Sequence, residues 1–198
     1  MLAKVKEFAK KYLVTCLLIF VVFAVLTGIA YPLFMTGFAQ VAFNGKANGS
    51  LVRSNGRTVG SKLIGQSFDS PQYFHGRPSA AGAKGYDATA SGASNLGPTN
   101  PNLLKDIAAR AAAVRKENGL PPGAKVPADL VESSGSGLDP DISPQSAKIQ
   151  VKRVARQRKL PEKAILELVK SHTQTRQLGV LGEPRVNVLE LNMALDKL

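Results

Sequence analysis

No charged residue interrupts the chain between Lys11 and Lys46, and the stretch from Tyr12 to Phe34 reads YLVTCLLIFVVFAVLTGIAYPLF. About 20 residues of helix, rising 1.5 Å each, cross a hydrocarbon core of about 30 Å, so this stretch is long enough to span a membrane once. A lone span in lipid must satisfy its own backbone, which a helix does. Lys4, Lys6, Lys10 and Lys11 precede it against Glu7 alone. That excess of positive charge predicts a cytoplasmic N-terminus, with everything beyond the span exported. A cleaved signal peptide ending near Gly28-Ile29-Ala30 is the competing reading, but the apolar region of such a peptide runs about 7–15 residues. Leu13-Val14-Thr15-Cys16 also lacks the small residue expected before a lipidated cysteine. The expected organisation is a basic tail over 1–11, a transmembrane helix over 12–36 and one exported domain over 37–198.

Past the span the pattern changes character. Pro32 and Gly37 mark where the helix can kink or stop, while Phe34, Phe38 and Phe43 carry apolar character as far as Asn44-Gly45. Leu51-Val52-Arg53, the turn pair Asn55-Gly56 and a strand over Thr58–Gln66 read as a hairpin. Gly60 and Gly65 inside that strand suggest bulges or close backbone approach. Residues 79–100 consist almost wholly of Gly, Ala, Ser, Thr, Asn and Pro, a composition with little to bury. Tyr73, Phe74, Tyr86 and Leu96 supply anchors for a folded loop there.

Helix signals follow. Asn100-Pro101 gives a cap and a proline at the first helical position. Leu104, Ile107, Ala108, Ala111 and Val114 recur at helical spacing, and Gly119 closes the element. Pro127 to Val131 reads as one short turn. Ser143-Pro144 opens a helix to about Lys159, and Leu160-Pro161-Glu162 opens another to about His172. Arg185 to Leu191 reads as a strand, with Asn192 capping a last turn. Pairing that strand with Thr58–Gln66 would join the two ends of the domain. The expected fold class is α+β behind a single N-terminal transmembrane helix.

Composition narrows the chemistry. The one cysteine, Cys16, lies in the apolar stretch, so an exported domain must hold by packing without an internal disulfide. Of the net charge of +12, the tail's four lysines and one glutamate account for +3, leaving +9 beyond. Outside the membrane, anionic headgroups, an acidic partner or plain solvent are the counterparts of such a surface, and nucleic acid is not expected. Lys148, Lys152, Arg156, Lys159 and Lys163 form one positive stripe at steps of three and four.

His75 and His172 are the only histidines, so no His/Cys metal spacing exists, and no phosphate loop or nucleophile elbow occurs. His75 reads either as an acid–base group or as a hydrogen-bonded structural residue. Asp139 and Asp141 read either as ligands for a hard cation or as turn-closing side chains.

Several runs form a recognisable set. They are Gly60-Ser61-Lys62-Leu63-Ile64-Gly65-Gln66-Ser67-Phe68, Tyr73-Phe74-His75-Gly76-Arg77-Pro78-Ser79 and Ser91-Gly92-Ala93-Ser94-Asn95-Leu96-Gly97-Pro98-Thr99-Asn100. With them go Ser134-Gly135-Ser136-Gly137-Leu138-Asp139-Pro140-Asp141-Ile142-Ser143-Pro144 and Gly182-Glu183-Pro184-Arg185-Val186-Asn187-Val188-Leu189-Glu190-Leu191-Asn192. Together they closely resemble the C subunit of the bacterial Kdp potassium-transporting ATPase. The resemblance implies a non-catalytic, single-span accessory subunit of a high-affinity potassium uptake complex in the bacterial inner membrane. Its implied partners are a channel-like potassium-selective subunit, a P-type ATP-hydrolysing subunit and a small stabilising subunit.

The resemblance further implies a catalytic chaperone that raises the pump subunit's affinity for ATP. The family's Ser-Gly-Gly-Ser-Asn run carries Ala93 at its third position here. Export would place Ser91–Asn95 on the side opposite cytoplasmic ATP, so no cofactor is expected to bind this chain directly, and the coupling would run through the span. The phosphorylated Asp-Lys-Thr-Gly motif of the pump is absent from the sequence. Motif positions carried over as partner-facing or loop-shaping are Gln66, His75, Arg77, Ser91, Asn95, Asn100, Asp139, Asp141, Glu183 and Arg185. A membrane-anchored extracytoplasmic enzyme using His75 and an envelope-binding module are the alternatives.

Overall fold

A chain that enters lipid and meets a proline must either break its helix or widen it. In the computed structural model, which describes residues 2–54 and 56–198, it widens. Helix α1 (Leu2–Val25) passes through a π turn (Leu26–Ala30) into α2 (Tyr31–Ala42). Pro32 has no N–H, and its ring would press on the carbonyl four residues back. The π turn, with the Tyr31 N–H donating to the Leu26 carbonyl, relieves that contact. The helix therefore neither stops at Pro32 nor at Gly37. Thr15 and Thr27 return their hydroxyls to the carbonyls of Lys11 (2.9 Å) and Phe23 (2.7 Å) within the apolar stretch. Phe43 leaves helical conformation at φ −140°, and a single turn, α3 (Asn44–Ala47), follows. Residues up to Ser50 make one compact unit and Leu51–Leu198 another.

The second unit opens with an antiparallel hairpin of β1 (Leu51–Ser54) and β2 (Arg57–Ser61), bulged between Val52 and Arg53. Asn55 of the expected turn pair lies outside the described residues. The longer strand expected over Thr58–Gln66 ends at Ser61, whose Oγ accepts the Leu63 N–H at 3.1 Å in a turn. The chain then leaves the hairpin. Gly65 donates its N–H to the Leu138 carbonyl at 2.7 Å and has no room for a Cβ, which would sit 2.6 Å from the Asp139 carbonyl oxygen.

Helix α4 (Pro101–Asn118) starts as its cap predicts, with the Asn100 side chain accepting the Asn102 N–H at 2.9 Å, and ends at Gly119 with φ +65°. A 3₁₀ turn spans Ala128–Leu130. β3 (Asp141–Ile142) then leads into α5 (Pro144–Arg158), capped by Ser143, and α6 (Glu162–Ser171) follows. β4 (Thr173–Gln174), β5 (Arg185–Asn187) and α7 (Val188–Leu195) complete the chain.

The three short strands form an antiparallel sheet in the order β3–β5–β4, so both edges of β5 are occupied. The expected pairing of Thr58–Gln66 with Arg185–Leu191 does not form. The earlier segment reaches β5 and α7 through side chains instead. Asn187 Nδ2 donates to the Lys62 carbonyl at 3.0 Å, and Lys62 pairs with Glu190.

The expected strand over Arg185–Leu191 also stops early. Asn187 accepts the Glu190 N–H and starts α7, where Val188, Leu191 and Leu195 share the buried face. A short run such as Val188-Leu189-Glu190-Leu191 fits both the two-residue and the 3.6-residue period, and here the cap decides. Asn192, expected to cap a final turn, is buried within α7.

The core gathers Val154 of α5, Ile165 and Val169 of α6, Val186 of β5, and Leu191 and Leu195 of α7 around Phe74. Each such side chain contributes about 1.5–3 kcal/mol on burial.

Residues 79–100 contain no helix or strand, yet they are tied down. Ser79 Oγ donates to the Gly137 carbonyl at 2.6 Å and accepts the Tyr86 N–H at 2.7 Å, and the Gly92 N–H donates to the Ser136 carbonyl. Gly137 sits at φ +68°, and a Cβ there would lie 2.5 Å from the Gly92 oxygen and 2.8 Å from the Ala81 nitrogen. Strain coincides here with a clash against backbone atoms. Gly137→Ala is expected to lower the domain's stability by about 2 kcal/mol or more, read as a shift in the urea midpoint at unchanged slope. A shift no larger than that of Gly135→Ala, which meets nothing within 4 Å, would contradict this packing.

Candidate functional site

Buried backbone groups need partners, and after the turn over Ser70–Tyr73 the chain at Phe74 and His75 finds them in side chains rather than in a neighbouring strand. Asn192 of α7 accepts the Phe74 N–H at 2.8 Å and donates to the Phe74 carbonyl at 2.9 Å. Gln150 of α5 does the same for His75, at 2.7 Å and 3.1 Å. Arg153, one turn along α5, donates to the carbonyls of Pro71 and Tyr73, to Gln150 Oε1 at 2.7 Å and to Asn118 Oδ1 at 3.0 Å. Its guanidinium is almost fully buried, with Glu117 the near carboxylate at 3.6 Å.

This clamp holds the Tyr73–Ser79 motif in place. His75 lines a cleft of about 240 Å³ together with Asp69, Arg77, Tyr86 and Glu117. Its Nε2 lies 3.2 Å from the Ser70 carbonyl and its Nδ1 3.5 Å from Glu117. Burial, reinforced by the Arg153 charge, holds its pKa below the ordinary 6.5, against the opposing pull of Glu117, Ser70 and Asp69. Tyr86 is pushed up to about 12, by burial first and then by Asp69 and Asp139.

Arg77 also faces a second, wider cleft of about 490 Å³, which gathers Asp139, Asp141, Glu183 and Arg185. Two ion pairs organise it, Arg77–Asp139 at 3.0 Å and Arg185–Asp141 at 3.1 Å. Asp139 Oδ1 also accepts the Asp141 N–H at 3.0 Å, the turn-closing role. Burial and the neighbouring Asp139 raise the Asp141 pKa, against the pull of Arg185 and Asn187. Each carboxylate is thus already partnered, and among the described residues no three His, Cys, Asp or Glu side chains gather as metal ligands would.

Five of the motif positions, Arg77, Asp139, Asp141, Glu183 and Arg185, are therefore brought together, and His75 sits on the adjoining cleft. The others are dispersed. Gln66 packs its amide onto Gly60 of the hairpin, where a Cβ would overlap it. Ser91 donates to the Ser136 carbonyl at 2.9 Å, Asn95 is exposed at φ +53°, and Asn100 is the α4 cap. Glu183 is exposed and holds Arg176 through both carboxylate oxygens at 2.7 Å.

Of the clamp residues, Asn192 is expected from sequence only as a cap, and Gln150, Arg153 and Asn118 carry no sequence motif. The signal was present in α5, where Gln150 and Arg153 share the face of Ala147, Val151 and Val154 instead of the exposed stripe of Lys148, Lys152, Arg156, Lys159 and Lys163.

Comparison with known proteins decides what kind of chain carries these clefts. The family model described as K+-transporting ATPase, c chain (KdpC) matches residues 13–197. The chain belongs to the KdpC family. The potassium-transporting ATPase KdpC subunit of Gemmatimonas aurantiaca is 61% identical over 173 residues, covering 87% of this chain and 86% of that one. The KdpC subunit of Caulobacter vibrioides is 58% identical, with 88% and 87% covered, and that of Paraburkholderia xenovorans 55%, with 92% and 94%. As a KdpC chain it is a subunit of a potassium-transporting ATPase and not an enzyme by itself. The clefts of this KdpC domain present ion pairs and clamped backbone.

Two measurements test the clamp. Arg153→Met leaves the Pro71, Tyr73, Gln150 and Asn118 acceptors without their donor and is expected to cost about 3 kcal/mol or more of stability. His75 provides the pH test, since its folded pKa lies below its unfolded one. The unfolded chain then binds more protons as pH drops below 6.5, so stability falls there. His75→Gln is expected to flatten that fall in urea titrations between pH 7.5 and 5.5. An unchanged slope would show that His75 is not held neutral by this site.

Proposed function

We propose that this chain is the single-span accessory subunit of an ATP-driven potassium uptake complex, with its N-terminus in the cytoplasm and its α+β domain outside. The match to the KdpC family over residues 13–197, which takes in both the apolar helix and the domain, carries this reading. Its partners are a channel-like potassium-selective subunit, a P-type subunit that hydrolyses ATP and a small stabilising subunit. Lys10 and Lys11 at one end of a helix with no further charge until Lys46 support the orientation.

The chain stabilises the assembly and raises the pump subunit's affinity for ATP without touching the nucleotide. With the domain outside, Ser91–Asn95 and cytoplasmic ATP lie on opposite sides of the bilayer. The effect is then a coupling free energy carried by the helix and its contacts with the membrane subunits, typically about 1–3 kcal/mol. Ser91 spends its hydroxyl on the Ser136 carbonyl, which supports a loop-shaping part for this run.

The test is purification of the full chain through an affinity tag from bacterial membranes, followed by ATPase assays with and without it. Potassium-transporting partners are expected to accompany it. Omitting the chain is expected to raise the KM for ATP about fivefold or more, and Ser91→Ala with Asn95→Ala to leave that KM unchanged. Recovery of the intact chain without any transport subunit would refute the reading.

A further inference from the structure

Helix α5 sorts its cations by side. Arg153 and Arg158 have partners, the first inside the clamp and the second on Asp196 at 2.6 Å, with its guanidinium over the Tyr73 ring. Lys148, Lys152 and Arg156 recur at four-residue steps on another face and are exposed. Lys159 and Lys163, also exposed, carry the row past the end of the helix. Among the described residues none of these five forms an ion pair. The helix itself contains no acid, and Glu162 is the one acid between Asp141 and Glu167.

Such a row works against its own helix. Lys148 with Lys152, and Lys152 with Arg156, are like charges at the spacing where they repel. The helix dipole favours cations in the last turn, which accounts for Arg156 and Lys159 but not for Lys148 and Lys152. Beside the row lies an open cleft of about 360 Å³. Val126, Pro127 and Ile149 give it aliphatic walls, and Lys125 and Lys148 bring ammonium groups to it. Cations bordered by aliphatic side chains match the layer of a bilayer where phosphates meet the first methylenes.

We infer that the Lys148–Lys152–Arg156 face of α5, with Lys125 and the adjoining cleft, docks on the anionic phospholipid headgroups of the bilayer in which the chain is anchored. The inference rests on the proposed membrane anchoring and adds a lipid ligand to it. Residues 43–50 alone join α2 to β1, at most about 28 Å of extended chain, so the domain is tethered close to that surface. A tethered surface is met at high effective concentration, and modest attraction per cation then suffices. A second copy of this chain would bring the same cations and be repelled. An acidic protein face would answer the cations alone, whereas headgroups answer both the cations and the aliphatic cleft.

The full chain with its transport subunits, reconstituted in nanodiscs of phosphatidylcholine with or without phosphatidylglycerol, tests this. A photoreactive benzophenone amino acid is placed at Gln145, which lines the cleft, or at Gln157, exposed on another side of the same helix. Phospholipid adducts are expected from Gln145 when phosphatidylglycerol is present, about tenfold above those in phosphatidylcholine alone. They are expected to fall as salt is added, and few are expected from Gln157 in either lipid. Lys148→Gln combined with Lys152→Gln and Arg156→Gln is expected to abolish the phosphatidylglycerol dependence without lowering the urea midpoint. If that variant unfolds, the lipid and salt dependence of the unsubstituted face still decides. Equal yields from the two lipids or the two positions, or adducts from Gln145 to a protein subunit in place of lipid, would overturn the inference. Recovery of the transport subunits is scored on the same sample. Their absence refutes the functional reading and leaves the adducts to be scored on the chain alone. Their presence without lipid adducts at Gln145 refutes only this surface.

Discussion

A single demand shapes the domain: backbone that leaves water must be given hydrogen bonds. At Phe74 and His75 the chain enters the interior without a strand beside it, and two amide side chains and one guanidinium stand in for that strand. Asn192 and Gln150 each offer a donor and an acceptor to one residue's N–H and C=O, reproducing the pairing of an antiparallel ladder. Arg153 adds donors for the preceding carbonyls of Pro71 and Tyr73. Because these side chains come from α5 and α7, the clamp fixes where both helices lie relative to the Tyr73–Ser79 motif. Phe74 at its centre fills the core between them.

The clefts follow from that arrangement. With Tyr73–His75 immobilised, Arg77 emerges between two depressions and meets Asp139, while Asp141 meets Arg185 on the adjoining strand. The ion pairs are half-exposed, so their worth lies in fixing the loop's course more than in stability. Opposite charges placed this closely cancel at a distance, and the long-range field of the domain is set by its unpaired cations.

Much of this architecture was legible in the sequence, for physical reasons. The span is announced by length and absence of charge. Helices α4 and α5 are announced by caps whose geometry is local, Asn100-Pro101 and Ser143-Pro144, and both start where those residues stand. What stayed hidden depends on contacts between distant residues. Strands of two or three residues, as in β3, β4 and β5, carry too few positions for a period to show. The Val188–Leu191 run satisfied both periods, and the cap at Asn187 decided for helix. In sequence Arg153 is one more cation in a basic helix, and only the burial of its neighbours at helical spacing sets it apart. Among the motif positions, the gathering of Arg77, Asp139, Asp141 and Arg185 could be suspected from their charges. The attachment of Ser91 to the Ser136 carbonyl could be learned only from the fold.

Amide hydrogen exchange at Phe74 and His75, in the full chain under native conditions, tests the clamp most directly. If side chains of α5 and α7 truly replace a strand, these two amides exchange only with global unfolding, as slowly as the slowest amides of α5. Exchange at the rate of the exposed loop over Thr175–Gly182 would mean that the segment opens on its own, and the fold would have to be explained without it.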